Sequence, residues 1–272
     1  MNKKILAGFI LFFLLIVSLF LYLIFYFFIM DKPVIFNTSL DPNHMKFDNI
    51  DVVFVYDDLQ WDETTIKNLC YSEDINSMQS VVDWFGEESK RYNKSFSPKL
   101  KCFENPIKLP KDITKSKGKI CLKGGCETQP LDSEKVILYI RNNVEGVTND
   151  NILQIIYLVS ESEQFYNNAI QSYFTSFIFV KKNSGSPFGL YGYSGETVAH
   201  EITHIFGAND KYIEGSYAPC CKADPITGKE YLGEDIMCHR KIDSDGICTG
   251  IELDELKISE ETAREIGWIP IV

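Results

Sequence analysis

Two histidines and a glutamate carry the strongest chemical signal in this chain. His200 and His204 stand four residues apart in the run His200-Glu201-Ile202-Thr203-His204. On a helix that spacing puts both imidazoles on one face, one turn apart, where they can share a metal ion. Glu201 stands beside the first of them and can reach a water on the same ion, which suits a general base. The chain has only four histidines, and two of them are here.

A third ligand is needed for an open catalytic zinc site. The residues that follow are Ile205-Phe206-Gly207-Ala208-Asn209-Asp210. Gly207 can take a positive φ and end the helix, which lets Asp210 fold back toward the histidine face. Glu214, Glu234, Asp235 and His239 are rival third ligands on the residues alone.

Read from His200, the run H-E-I-T-H-I-F-G-A-N-D resembles the extended H-E-x-x-H-x-x-G-x-x-H pattern of the metzincin clan of zinc metallopeptidases. Asp210 stands where the clan commonly has histidine; snapalysin-type members also carry aspartate there. The resemblance favours Asp210 over its rivals as the third ligand of one zinc ion per chain. It also implies a methionine in a tight turn beneath the metal, and Glu234-Asp235-Ile236-Met237 looks like that turn, with Met237 as the methionine. The likeness covers about residues 194–268. What it implies is an α+β, zincin-like fold, with a twisted mixed sheet over the active-site helix, and hydrolysis of peptide or protein substrates with Glu201 as the base. The reading from another class is a catalytically silent, zinc-stabilised ectodomain that binds a surface partner. Glu201 discriminates, since a structural zinc has no use for a carboxylate there.

The elements that must position these residues can be read from the pattern around them. Ser194 followed by Gly195, Glu196 and Thr197 starts a helix, which runs to about Phe206 and stops at Gly207. The β-branched run 50–56 predicts a strand, as do 151–160 and 173–180. Apolar spacing predicts an amphipathic helix over 77–92. Ser133 is expected to cap a helix to about Val144, and Ser259 one to about Ile266. The Lys-, Pro- and Gly-rich stretch 93–130 reads as loops and short strands. The strand before the site helix, around 177–180, is expected to bind extended substrate by strand addition.

The chain has 272 residues and a formal net charge of −11. That acidity argues against a nucleic-acid partner, which needs clustered Lys and Arg. From Ile5 to Met30 there is no charged residue, enough for about 39 Å of helix against a hydrocarbon core of about 30 Å. With Lys3 and Lys4 before it, residues 1–30 read as an uncleaved signal anchor with a cytoplasmic N-terminus. Residues 31–48 read as a stalk and 49–272 as the catalytic domain, facing outward. All eight cysteines follow the anchor, which suggests disulfides in an exported domain. The group Cys220, Cys221, Cys238, His239 and Cys248 could make a second zinc site, but disulfides fit the compartment better. Asp243, Asp245, Gly246 and Glu252 match part of a calcium loop, yet Lys241 stands where its first carboxylate belongs.

Overall fold

The structure is a computed structural model that describes residues 49–115, 118–122, 125–129, 131–159, 167–184, 186–213, 219–223 and 228–270. The chain divides into a unit Met1–Ser39 and a unit Leu40–Val272, and every described residue lies in the second. The expected anchor, 1–30, and stalk, 31–48, lie outside the described residues. Among the described residues no helix is long and apolar enough to cross a membrane.

A mixed sheet forms the centre of an α+β architecture. Its order is β2 (Lys99–Lys108), β1 (Asn49–Tyr56), β5 (Ile152–Leu158), β7 (Thr175–Lys182) and β6 (Asn168–Ile170), with β8 (Leu190–Tyr191) also paired to β7. The first four are mutually parallel; β6 and β8 run antiparallel to β7. The interior strands are continuous apolar runs because both of their faces are covered. Val53, Val55, Leu153, Ile155 and Phe177 face Val136, Ile137 and Ile140 of α4 (Ser133–Asn143). On the other face Ile50, Val52, Ile156 and Ile178 share a core with α1 (Glu63–Tyr71), α2 (Met78–Arg91) and α5 (Gly195–Ile205). A turn α3 (Lys111–Thr114) and a hairpin of β3 (Gly118–Leu122) and β4 (Gly125–Gln129) follow β2. A second hairpin, β9 (Arg240–Ile242) with β10 (Cys248–Gly250), and the helix α6 (Glu260–Glu265) follow α5.

Several expectations need correction. The stretch 93–130 contains a ten-residue strand, β2, parallel to β1. The cap of α4 is Asp132, whose side chain accepts the Lys135 N–H, and not Ser133. The edge of β7 is closed to an incoming peptide: β6 pairs with residues 175–177, the Phe179 N–H donates to Asn167 Oδ1 at 2.9 Å, and β8 pairs with 181–182.

Three disulfides are present among the described residues. Cys70–Cys102 joins α1 to β2, while Cys220–Cys248 and Cys221–Cys238 stitch the segment after α5 to the residues around β9 and β10. The four cysteines of the supposed second zinc site are thereby used up. Asp243 Oδ1 accepts N–H groups from Asp245 and Ile247, closing the turn between β9 and β10.

Candidate metal centre

Helix α5 is fixed at both ends by its sequence. Ser194 caps it, its side chain accepting the Thr197 N–H. The Gly195 N–H donates to Asn76 Oδ1 at 2.9 Å, and a Cβ at Gly195 would sit 2.8 Å from the Ile75 carbonyl oxygen, so only glycine allows this approach. Val198, Ala199, Ile202 and Ile205 are buried in the core on the sheet side. At the other end Gly207 has a φ of +100°, a conformation side chains resist, and the chain leaves the helix there.

That exit brings three side chains together. His200 Nε2 and His204 Nε2 lie 3.1 Å apart, and Asp210 Oδ1 lies 3.1 Å from each. The other nitrogen of each ring is occupied: His200 Nδ1 is 3.0 Å from the Ile236 carbonyl oxygen, and His204 Nδ1 is 2.8 Å from that of Ala208. A carbonyl only accepts, so each Nδ1 carries a hydrogen and each neutral ring turns an Nε2 lone pair toward the other and toward the Asp210 carboxylate. With both rings neutral, three acceptor atoms converge without a donor among them, which calls for a cation: a metal ion or, in the metal-free protein, a proton on a ring that then donates to Asp210. A tetrahedral zinc with bonds of about 2.0–2.1 Å has ligand edges of about 3.3 Å, close to this triangle. Two imidazoles and one carboxylate are a zinc donor set with a position left open. Among the described residues this is the group of side chains that can hold a metal ion.

The electrostatics of the three are coupled. Burial would raise the Asp210 carboxyl, but hydrogen bonds to His200 and His204 hold it well below the usual carboxylate range. Burial would lower His204, but the bond to Asp210 outweighs it and raises the ring. Glu201 is buried beside the triangle and outside it; burial pushes its carboxyl up, with His200 and His204 pulling the other way. Exposure grades from His200, which is buried, to the half-exposed Asp210, so the site opens on the Asp210 side.

The rival ligands are placed elsewhere. Asp235 is buried in contacts with the Met237 N–H, Ser259 and Thr262. Glu234 is exposed and pairs with Lys257. Glu214 lies outside the described residues. His239 stands next to His200 but outside the triangle. Met237 is fully buried in a tight turn in which the N–H groups of Cys238 and His239 both reach the Asp235 carbonyl oxygen, and the preceding residue, Ile236, holds His200. Sequence reasoning did not single out Ala208, Ile236 and Lys211, which act through backbone atoms or from within the core; no residue-type pattern announces a carbonyl.

No family model and no curated protein matches this chain. Among solved structures it is similar to the crystal structure of a zinc-dependent peptidase from Methanocorpusculum labreanum (strain Z), with a TM-score of 0.34 and 12% identity, over 79% of this chain and 99% of that one.

Proposed function

We propose that the chain is a zincin-like, zinc-dependent endopeptidase of metzincin type. The observation that supports this reading is the triangle of His200 Nε2, His204 Nε2 and Asp210 Oδ1, each side 3.1 Å, with Glu201 buried alongside. His200, His204 and Asp210 would hold one zinc ion. When bound, zinc polarises a peptide carbonyl and acidifies a water. Glu201 accepts a proton from the attacking water, keeps it while the C–N bond breaks, and delivers it to the leaving amine. A carboxyl already raised by burial holds a proton better than an exposed one. Met237 and its turn support His200 from below through Ile236. A silent, zinc-stabilised ectodomain has less support, because structural zinc usually closes with four protein ligands and three converge among the described residues.

The uncharged run 5–30 supports attachment as a single-pass membrane protein with the catalytic domain outside, and the three disulfides fit that compartment. Protease added to intact cells should then reach the domain.

The deciding experiment is digestion of a peptide library by the purified chain, with and without a chelator, alongside elemental analysis. Cleavage that chelator abolishes and zinc restores is expected. Folded protein with zinc bound and no cleavage would overturn the peptidase reading.

A further inference from the structure

A third imidazole faces the site and is not used by the ligand set. His239 lies two residues after Met237, and its ring centroid is 4.7 Å from that of His200, the planes at 78°. Its Nδ1 is 3.2 Å from the Ile236 carbonyl oxygen, the same atom that holds His200 Nδ1 at 3.0 Å. That oxygen accepts from both rings, so His239 also has its hydrogen on Nδ1 and presents an Nε2 lone pair on the far side. The two rings hang from one oxygen, each by its Nδ1, so each turns its Nε2 away from that oxygen.

His200 ends in the metal triangle. His239 does not: among the described residues the candidate ligand atoms lying within 4.8 Å of one another belong to His200, His204 and Asp210. Its lone pair therefore lies outside the ligand set, next to the His200 ring that belongs to it. The residue is also held there against its own preference. Its φ is +42°, a region a bulky side chain occupies only when its surroundings fix it. Those surroundings are the Tyr212 ring, 5.7 Å away on the flank, and Cys238, tied to Cys221.

We propose that His239 is a catalytic residue, whose Nε2 accepts a hydrogen bond from the second O–H of the attacking water while Glu201 takes the first proton. This rests on the peptidase reading above. No proton moves to His239: the water oxygen bonds to the carbonyl carbon, one proton passes to Glu201, the C–N bond breaks, and that proton ends on the nitrogen. His239 fixes which way the water points, so the oxygen lone pair faces the carbonyl.

The test uses the zinc-loaded full chain and two variants. His239→Phe keeps a ring for packing and removes the acceptor; Phe174 and Phe188 already occupy positive φ in this protein. His239→Gln returns an acceptor oxygen at similar reach. For His239→Phe, kcat is expected to fall roughly 10- to 100-fold, with KM within about twofold. Zinc affinity, read by chelator competition, is expected to stay within about threefold, and His239→Gln to recover part of kcat. Wild-type kcat in His239→Phe overturns the proposal, as does His239→Gln no better than His239→Phe. A loss of zinc affinity above about tenfold in both variants makes His239 a ligand and also overturns it. If His239→Phe fails to fold, His239→Ala carries the same expectation. Wild-type protein that binds zinc and cleaves nothing overturns the peptidase reading itself, whereas an active wild type with an active His239→Phe overturns only this proposal.

Discussion

Lys211 reaches Asp235 inside the protein: Nζ lies 3.5 Å from Oδ2, with side-chain exposures of 2% and 0%. Lys211 directly follows Asp210, and its N–H donates to the Met237 carbonyl oxygen at 2.8 Å. Asp235 Oδ1 in turn accepts the Met237 N–H at 2.7 Å, and its carboxylate also takes the hydroxyls of Ser259 and Thr262 at the start of α6. One buried pair thus joins the carboxylate arm of the site, the turn beneath it and the C-terminal helix. Lys211→Met should destabilise the chain by about 3–5 kcal/mol, because it leaves a buried carboxylate without its cation. Chemical denaturation measures this. A loss below about 1 kcal/mol would mean the pair is not what ties these segments together.

Glu201 and Asp210 should fail differently. Glu201→Gln is expected to keep one zinc per chain and lose roughly 10²–10⁴-fold in kcat. Asp210→Ala is expected to lose zinc affinity by more than the roughly 10- to 100-fold that an outer-shell partner costs, with activity following the metal. Asp210→His should restore part of the affinity, since imidazole suits zinc. Zinc content by elemental analysis beside kcat separates the two roles. Unchanged zinc affinity in Asp210→Ala would move the third ligand elsewhere.

The pH dependence follows from the signs at His204 and Asp210. Asp210 is held below its ordinary value, so its contribution is present above that value and fades as pH falls through the lowered one. His204 is raised, so its contribution is full below the ordinary imidazole value and fades as pH rises through the raised one. In the metal-free protein the pair therefore stabilises most between roughly pH 4 and 6.5. Zinc needs both rings neutral. The rise in melting temperature on adding zinc should grow as pH climbs from about 5.5 through the raised value of His204. His239, which burial lowers to about 3, is neutral across that range and drops out of the difference. A zinc-induced rise that is flat with pH contradicts the coupling.

The site was legible because its signals are local. Spacing alone places His200 and His204 on one face, and Ser194 and Gly207 mark the ends of their helix. What was hidden depends on distant pairing. Strand β2 reads as a loop because an edge strand has little apolar pattern and Pro106 interrupts it; the register shift between Val53 and Val55 of β1 lies opposite that part of β2. Helix α1 is only nine residues, and its Asp62 cap precedes a mostly polar run. The closed edge of β7 depends on residues 167–170 and 190–191, which no pattern within β7 reveals. Asp235 and His239 looked like ligands by type; only three-dimensional placement gives one to the interior and leaves the other against His200 but outside the triangle.

The borders of the sheet bear on how this protein behaves in a crowd of its own copies. An unprotected sheet edge is a template on which other chains aggregate. On one side β7 is covered by two short antiparallel segments and the Asn167 amide, leaving β6, three residues long, outermost in the sheet order. On the other, β2 carries Lys99, Lys101, Glu104, Pro106 and Lys108 and is tethered by Cys70–Cys102. Among the described residues neither border offers a long, uncharged ladder for a second molecule to extend, so dense packing on a surface or at high concentration should not by itself seed strand-to-strand clumping through them.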